Sequence, residues 1–419
     1  MSSFTSSFMR TMDERGFIHQ VTDVAELDAA MAKKVTAAYI GFDCTADSLH
    51  VGSLVQIMML RHLQICGHKP IVLMGGGTTK VGDPSGRDDM RKLLSDDDID
   101  RNKAGIRRIF ENYLTFGDGP TDAVMCDNDE WLSGLQYIPF LRKYGRYFSV
   151  NRMLSFDSVK LRLEREQPLS FLEFNYMILQ AYDFLELRRR YGCMIQMGGS
   201  DQWGNIVNGV ELTRRVDQQT IYGLTTPLIM TSSGAKMGKT AKGAIWLNAD
   251  RCSAYDFWQF WRNTEDGDVG KFLRLFTELR LNEVTRLEAL EGSELNDAKK
   301  VLADEATKLC HGVEAMAEAS DTARKTFEEG EIGGALPTVH VARSELETGL
   351  WVVEALGKKW ANLVNSNGEA RRLIKQEGAR INDVVVRSVD LKLGLEDVNA
   401  DGVVKLSNGK KRHVLLRVA

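Results

Sequence analysis

The chain has 419 residues, which is too long for one hydrophobic core, so two or three domains are expected. With 43% hydrophobic residues, 27% charged residues and a net charge of −4, the composition is that of a globular protein and excludes a polycation. No run of about 18 apolar residues and no apolar signal core occur, so we expect no membrane span and a cytoplasmic protein.

The six cysteines and seven histidines are dispersed along the chain. None of the cysteines forms a C-x-x-C pair, and none has zinc-finger spacing with histidine. We therefore expect reduced, buried thiols and no protein-bound metal.

The first half of the chain alternates strand-like and helix-like segments. Residues 53–67 have apolar side chains on one helical stripe and stop at Gly67. Strands are predicted for 35–43, 70–77, 193–199 and 225–230. This alternation predicts a Rossmann-like α/β domain with a parallel sheet, in which ligands bind at the C-terminal ends of the strands.

The second half has a different character. Residues 253–330 are helical in period, and the Gly/Pro-rich stretch 328–339 predicts a linker. Residues 370–386 read as helix, turn and strand, and 403–418 as a hairpin with an Asn-Gly turn. A helical domain and a small α+β module are therefore predicted. The last 69 residues, from position 351, carry 13 Lys/Arg and 8 Asp/Glu, and this basic excess suggests an anionic partner.

The stretch GFDCTADSLHVGS (41–53) joins a strand that ends near Asp43 to a helix that begins near Val51. His50 and Gly52 would lie at the helix N-terminus, where free N–H groups and the helix dipole favour an anion. His50 can donate to a phosphate, and Gly52 would let a flat base approach the backbone. A lone histidine at a helix start is more often structural, so this motif alone leaves both interpretations open.

Two further segments combine polar groups with a predicted element. In GGGTTKVGDPSGRDDMRK (75–92), Arg87 and Arg91 lie four residues apart, which fits either a solvated loop or a loop that closes over a phosphate. In EFNYMILQAYDF (173–184), Tyr176, Gln180 and Asp183 share one face of an otherwise apolar helix. That face predicts either a satisfied polar network or a site for a small polar ligand.

The last two segments also follow predicted strands. QMGGSDQWGN (196–205) offers Asp201 at a strand end, where an acidic residue often receives a ribose hydroxyl. TSSGAKMGKTA (231–241) looks like a phosphate-binding P-loop, but only three residues separate Gly234 from Gly238 where four are needed. A P-loop is therefore disfavoured.

Taken together and in this order, the five segments resemble the class I aminoacyl-tRNA synthetases, most closely the bacterial tyrosyl enzymes. HVGS (50–53) is similar to the HIGH signature and KMGKT (236–240) to the KMSKS signature. YIGFD, GDPSG, Tyr-x3-Gln-x2-Asp and GGSDQWGN complete the pattern, and the resemblance covers essentially the whole chain.

The resemblance implies a homodimeric tyrosine–tRNA ligase. Such an enzyme converts L-tyrosine and ATP, as its Mg²⁺ complex, into tyrosyl-AMP and pyrophosphate, and then transfers tyrosine to the terminal adenosine of tRNA(Tyr). The implied layout is a catalytic domain over 1–240 with a dimer-interface insertion around 120–165, a helical anticodon-side domain over 241–330, a linker over 331–350 and an RNA-binding module of the alpha-L type over 351–419. The implied RNA-binding residues are Arg371, Arg372, Lys375 and Arg380.

The implied ligand contacts fall into three sets. Tyrosine would be held by Tyr39 and Asp183 at its phenol, by Asp83, Tyr176 and Gln180 at its ammonium group, and by Gln202 at its carboxyl end. The catalytic groups on the phosphates would be Thr45, His50, Arg87, Arg91, Lys236 and Lys239. The ATP contacts would be Gly41, Asp43, His50, Gly52, Ser53, Gly199, Asp201, Lys236, Lys239 and Thr240.

The sequence departs from the family pattern at a few positions. Ser53 stands where the second histidine of the signature is usual, and Ile40 where a cysteine is common. The alternatives are a tryptophanyl enzyme of the same fold and a non-catalytic RNA-binding paralogue. The pair Tyr39 and Asp183 suits a phenol better than an indole, and the retained lysines and arginines argue against the paralogue.

Overall fold

The computed structural model describes residues 3–85, 93–232, 234, 237–240, 243–326, 336–399, 401–409 and 412–419. The chain divides into two compact units. The first unit comprises residues 1–252 and 256–313, and the second comprises residues 253–255 and 314–419.

The first unit contains a six-stranded sheet in the order β1-β6-β5-β2-β3-β4. Its strands are β1 (Gln20–Val21), β2 (Ala37–Asp43), β3 (Lys69–Gly75), β4 (Val124–Asp127), β5 (Ile195–Gly199) and β6 (Tyr222–Thr226). All neighbouring strands are parallel except the edge strand β1, which is antiparallel to β6. Strand order reverses between β2 and β5, and the crevice at such a reversal is where ligands bind in open α/β sheets. The Rossmann-like prediction is confirmed.

Helices cover the sheet and continue beyond it. The helices in the first part of this unit are α1 (Ser7–Arg15), α2 (Val24–Lys33), α3 (Leu54–Ile65), α4 (Gly76–Thr79), α5 (Asp96–Tyr113), α6 (Asp129–Leu132), α7 (Tyr137–Lys143), α8 (Val150–Ser155), α9 (Asp157–Glu164), α10 (Phe171–Tyr191) and α11 (Trp203–Asp217). After the short hairpin of β7 (Lys239–Thr240) and β8 (Gly243–Ala244) come α12 (Ala254–Arg262), α13 (Val269–Phe276), α14 (Leu281–Glu288) and α15 (Leu295–His311). Helix α16 (Val313–Arg324) follows and belongs to the second unit, apart from its first residue. The described part of the predicted helical region 253–330 therefore consists mainly of helices joined by short connections.

Helix α10 carries three of the predicted tyrosine contacts, and both of its ends are capped. Ser170 accepts a hydrogen bond from the Glu173 N–H while the Glu173 carboxylate accepts one from the Ser170 N–H, which is a capping box. Gly192 ends the helix in the left-handed conformation, at φ 65°. These caps fix the register of the polar face of α10 against the sheet.

The second unit contains a five-stranded sheet in the order β12-β11-β14-β15-β9. Its elements are β9 (Thr338–Val341), α17 (Arg343–Thr348), β10 (Leu350–Trp351), α18 (Val352–Ala355), α19 (Asn367–Lys375), β11 (Ala379–Ile381), β12 (Val384–Val385), β13 (Lys392–Leu393), β14 (Val403–Asn408) and β15 (Arg412–Val418). The predicted hairpin is confirmed, because β14 and β15 pair antiparallel and Gly409 follows Asn408 with φ 66°.

Two boundaries differ from the prediction. The linker predicted over 331–350 includes β9, which pairs in parallel with β15, and Leu346, which is buried in the core of this unit. Those apolar side chains pack onto the C-terminal sheet, so the module begins before residue 351. The strand predicted over 225–230 ends at Thr226, because Pro227 cannot donate the hydrogen bond that a continued strand requires.

Among the described residues, no helix combines the length and the apolar character that crossing a bilayer requires.

Candidate active site

The predicted tyrosine contacts lie on β2 and α10, after β3 and after β5. Tyr39 lies within β2 and is 1% exposed. Asp183 lies on α10 and is 2% exposed. The Tyr39 ring meets Phe184 edge-on with 5.3 Å between ring centroids. The crevice at the strand-order reversal is therefore lined by a phenol and a carboxyl group.

The Asp183 carboxylate is held by two side chains that the sequence analysis did not identify. Oδ2 accepts a hydrogen bond from Asn128 Nδ2 at 2.9 Å, and Oδ1 accepts one from Trp131 Nε1 at 2.8 Å. Burial raises the pKa of Asp183 to about 8, although both hydrogen bonds act in the opposite direction. The carboxyl group is thus fixed in orientation and shielded from water.

The Tyr39 hydroxyl differs from the Asp183 carboxyl group, because it has no hydrogen-bond partner among the described residues. Its hydroxyl is buried, and no described residue hydrogen bonds to it. Burial, followed by the nearby charge of Asp183, raises the pKa of Tyr39 well above its usual value of 10.0. A buried polar atom without a partner is unfavourable by roughly 1–3 kcal/mol, which a ligand hydroxyl would relieve.

Asn128 links the phenol end of the site to the glycine-rich turn after β3. Its Oδ1 accepts hydrogen bonds from the backbone N–H groups of Gly77 and Thr78, at 2.8 Å and 3.3 Å. Its Nδ2 donates to Thr78 Oγ1 at 3.0 Å as well as to Asp183. A change at Asn128 would therefore affect both the turn and the carboxylate.

Asp43, which was grouped with the ATP contacts, forms a hydrogen bond with one of the predicted tyrosine contacts. Its carboxylate accepts hydrogen bonds from Thr78 Oγ1 at 2.8 Å and from the Tyr176 hydroxyl at 3.1 Å. Burial, followed by the charges of Asp43 and Asp83, raises the pKa of Tyr176 well above its usual value. The Tyr176 hydroxyl is therefore oriented as a donor to Asp43, which leaves its oxygen lone pairs available as acceptors.

A chain of amide hydrogen bonds joins Asp83, Gln202 and Gln180. Gln202 Nε2 donates to Asp83 Oδ2 at 2.9 Å, and Gln202 Oε1 accepts from Asn205 Nδ2 at 3.1 Å. The same Asn205 nitrogen donates to Gln180 Oε1 at 2.9 Å. Three predicted contacts from separate parts of the chain are thus one network, and the buried Asn205 is its connecting residue.

The HVGS turn and the lysine segment are in direct backbone contact. His50 precedes the 3₁₀ turn Val51–Ser53, and its Nδ1 accepts a hydrogen bond from the Gly52 N–H at 3.0 Å. A Cβ added to Gly52 would lie 2.6 Å from the His50 ring and 3.1 Å from the Met237 carbonyl oxygen. The expectation that a base approaches Gly52 is therefore not met on that side of the residue, since the histidine ring and the lysine segment occupy the space.

The remaining residues predicted to contact ATP or its phosphates differ in their exposure to solvent. Gly41 and Thr45 are exposed, Gly199 is buried at the end of β5, and Asp201 is half-buried in the turn that follows. Ser53 is half-buried and makes no side-chain cap to α3. Arg87, Arg91 and Lys236 lie outside the described residues, as do the side chains of Lys239 and Thr240. In the described part of the chain, no group of three His, Cys, Asp or Glu side chains is arranged to hold a metal ion.

The predicted RNA-binding residues belong to the second unit and are considered within it. Arg371, Arg372 and Lys375 are exposed on α19. Arg380 lies on β11, half-buried, and donates from Nη1 to the Asp383 carbonyl oxygen at 3.1 Å. The three helical cations are therefore available to an anionic partner.

The residues that the sequence analysis missed had a usable signal. Asn128 and Trp131 directly follow β4, and the C-terminal end of a parallel strand is where ligand-binding groups collect. Asn205 stood inside a motif that had already been singled out, GGSDQWGN, but no role was assigned to it. Their position after the end of a strand would have identified Asn128 and Trp131.

Comparisons with known proteins agree with this fold. The family model described as "tRNA synthetases class I (W and Y)" matches residues 31–328. A tyrosine–tRNA ligase of Rhodospirillum rubrum is 63% identical over 418 residues, covering 100% of this chain and 99% of that protein. A tyrosine–tRNA ligase of Caulobacter vibrioides is 62% identical over 416 residues, covering 99% of each.

Solved structures show the same relationship. The truncated mitochondrial tyrosyl-tRNA synthetase of Aspergillus nidulans is 30% identical, with a TM-score of 0.69, and the match covers 77% of this chain and 94% of that one. A tryptophanyl-tRNA synthetase of Encephalitozoon cuniculi is 12% identical with a TM-score of 0.54, which shows a shared fold alone.

The parallel sheet, the crevice at its reversal point and the family match define a class I aminoacyl-tRNA synthetase, a ligase class that uses ATP. Within this class, the chain is about 60% identical over its full length to several bacterial tyrosine–tRNA ligases. The chain belongs to the tyrosine–tRNA ligase family.

Proposed function

We propose that this chain activates L-tyrosine with Mg²⁺-bound ATP and transfers the tyrosyl group to the terminal adenosine of tRNA(Tyr). The observation that carries the proposal is the buried hydroxyl of Tyr39, which has no partner among the described residues, beside the oriented carboxyl group of Asp183. A substrate hydroxyl bound there would hydrogen bond to both.

This arrangement favours a phenol over a phenyl ring. A tyrosine hydroxyl can donate to Asp183 and accept from Tyr39, whereas phenylalanine would leave two buried polar groups unpaired. Sites that hydrogen bond a substrate hydroxyl reject the analogue without it, and this enzyme family is the usual example of that principle. An indole would carry its N–H on a larger ring, which suits the pair less well.

The opposite end of the substrate would meet hydrogen-bond acceptors. Asp83, Gln180 and Tyr176 each present an oxygen, and an ammonium group donates three hydrogen bonds. Gln202 would contact the carboxyl end, and its hydrogen bonds to Asp83 and Asn205 support that position. The substrate would therefore be fixed at both ends before the reaction.

The first chemical step would be in-line displacement at phosphorus. A carboxylate oxygen of tyrosine forms a bond to the α-phosphorus of ATP while the bond to the bridging oxygen of the β-phosphate breaks. Tyrosyl-AMP and Mg²⁺-pyrophosphate are the products, and no side chain acts as nucleophile. Thr45 and His50, with Arg87, Arg91, Lys236 and Lys239, would stabilise the charge that develops on the pyrophosphate, so catalysis rests on positioning and electrostatics.

We also propose a homodimer formed through the region around 120–165 and its continuation into α10. Large apolar side chains are unusually exposed there, and contiguous exposed apolar surface is typical of an interface. These side chains are Tyr137, Ile138, Val150, Leu154, Leu161, Leu163, Phe171 and Leu172. In the second unit, Arg371, Arg372 and Lys375 on α19 would contact tRNA phosphates.

Amino acid selection by the Tyr39→Phe variant tests the proposal. Tyrosine and phenylalanine are each supplied in ATP–pyrophosphate exchange, and kcat/KM is measured for both. We expect Tyr39→Phe to lower kcat/KM for tyrosine by roughly 10-fold, and to change the value for phenylalanine much less, because only tyrosine loses a hydrogen bond. Equal changes for the two amino acids would contradict the assignment of the phenol site.

A further inference from the structure

The turn that contains His50 is held by the segment that follows the lysine loop. His50 and Trp246 form an isolated antiparallel bridge. The Val51 N–H donates to the Ile245 carbonyl oxygen at 3.0 Å, and the Leu247 N–H donates to the Leu49 carbonyl oxygen at 2.9 Å. The two signature segments are therefore joined backbone to backbone at the residue that bears the imidazole.

The Trp246 side chain lies between His50 and a cation. Its ring meets the His50 ring edge-on, with 6.2 Å between centroids and 69° between the planes. The guanidinium of Arg251 lies 4.2 Å from the centre of the Trp246 ring and forms an ion pair with Asp47. A cation over an indole face is a favourable contact, so the indole is restrained as well.

Asn248 ties the same segment to the chain that precedes His50. Its backbone N–H donates to Ser48 Oγ at 3.2 Å, and its Nδ2 donates to the carbonyl oxygens of Asp47 and Gly105 at 2.9 Å and 3.1 Å. Asn248 is buried. Trp246 is thus set on a backbone that cannot move independently of the His50 turn.

The imidazole of His50 is restrained on two sides. Its Nδ1 accepts the Gly52 N–H, so the neutral ring carries its proton on Nε2. The Trp246 ring lies on another side of the imidazole, and its removal would leave more room for rotation about the bond that joins the ring to Cβ. A side chain that donates a hydrogen bond to a phosphate must be held within a fraction of an ångström of its productive position. Misplacement by about 1 Å can cost 10²-fold in rate.

We propose that Trp246 is a positioning residue for His50: it orients the imidazole so that the Nε2–H points toward the triphosphate of ATP. The inference rests on the proposed function, because His50 has a phosphate to meet only if ATP binds in this crevice. Trp246 itself touches neither substrate in this account. Its effect on the reaction passes entirely through His50.

A double-mutant cycle tests whether the effect passes through His50. ATP–pyrophosphate exchange is measured for the wild type, Trp246→Leu, His50→Ala and the double variant. We expect Trp246→Leu to lower kcat/KM for ATP by roughly 10-fold in the wild-type background and by less than about 2-fold in the His50→Ala background, since coupled residues are non-additive. Equal losses in both backgrounds would overturn the inference.

Two further variants separate positioning from general damage. Trp246→Phe keeps an aromatic edge against His50 and is expected to recover most of the loss. Trp351→Leu is a matched control in the second unit, since it also removes an indole from beneath a cation, Lys392, which lies 4.8 Å from the ring centre. It should leave the exchange rate unchanged. If Trp246→Leu does not fold, Arg251→Met is used in the same cycle, with a smaller loss expected and the same non-additivity.

An NMR readout does not depend on activity. The imidazole ¹⁵N signals of His50, assigned by their disappearance in His50→Ala, should report one Nε2–H tautomer in the wild type and averaging of tautomers in Trp246→Leu. Identical signals in the two proteins would overturn the inference. Absence of exchange in the wild type would instead count against the proposed function, so the two failures are distinguishable.

Discussion

Trp131 donates a hydrogen bond from Nε1 to Oδ1 of Asp183 across 2.8 Å, and both residues are buried. Trp131 follows β4, whereas Asp183 lies on α10, 52 residues further along the chain. The contact fixes the carboxyl group that we assign to the substrate phenol. Several expectations depend on it directly.

Removal of the Trp131 donor should weaken tyrosine binding selectively. Trp131→Phe keeps an aromatic ring but loses the N–H, and a buried acceptor left without its donor is unfavourable by about 1–3 kcal/mol. We expect the Kd for tyrosine to rise by roughly 10- to 100-fold while the KM for ATP changes little. Equilibrium dialysis with labelled tyrosine measures the first quantity. An unchanged Kd would show that Asp183 does not need this donor.

The pH dependence of stability should change when Asp183 is replaced. Burial raises the pKa of Asp183 to about 8 from its ordinary value of 3.8, so between these values the folded chain keeps a proton that the unfolded chain has lost. The contribution of this group to the free energy of unfolding therefore falls as the pH rises from about 4 to about 8. Asp183→Asn removes the titration, and its stability relative to the wild type should increase across that range.

Urea denaturation of both proteins between pH 5 and pH 8 measures the difference. The asparagine also changes the hydrogen bonds with Asn128 and Trp131, but that effect does not depend on pH and appears as a constant offset. Parallel pH profiles for the two proteins would mean that Asp183 is already ionised at pH 5.

Gly238 should be far less tolerant of substitution than Gly234. Both residues have φ 82°, so both share the strain of a side chain in the left-handed region. A Cβ on Gly238 would lie 2.9 Å from the Gly52 backbone nitrogen, whereas a Cβ on Gly234 would meet no atom of the described residues within 4 Å. Gly238→Ala must therefore separate the lysine segment from the HVGS turn, and we expect kcat in ATP–pyrophosphate exchange to fall at least about 10-fold further than in Gly234→Ala. Equal effects would assign the loss to backbone strain alone.

The contacts of Ser232, which precedes the lysine segment, should also affect the rate of adenylate formation. The Ser232 N–H donates to Asp268 Oδ2 at 2.8 Å, and Ser232 Oγ donates to Glu265 at 2.6 Å. These acidic residues lie just before and at the start of α13, so the loop begins on the helical segment. Asp268→Ala should slow adenylate formation without changing the Kd for tyrosine, as measured by stopped-flow and dialysis on the same preparation. A parallel loss of tyrosine binding would indicate a wider disturbance of the fold.

Local patterns predicted the fold better than they predicted the details of the site. Strand β2, which carries Tyr39, strand β5, which Asp201 follows, and the helix that carries Tyr176, Gln180 and Asp183 are predicted by short-range periodicity and by the motifs. Asn128 was missed because the strand that precedes it, β4, was not predicted. Asn205 was missed because its hydrogen bond to Gln180 joins residues 25 positions apart. The linker was misjudged because Gly and Pro mark its start, while the strand that follows is held by pairing with the last strand of the chain.

ATP–pyrophosphate exchange by the purified chain without RNA, with one amino acid supplied at a time, tests the central claim most directly. We expect exchange with tyrosine and almost none with phenylalanine or tryptophan. Exchange with tryptophan in place of tyrosine would contradict the assignment of Tyr39 and Asp183 to a phenol. Exchange with no amino acid would contradict the activation step itself.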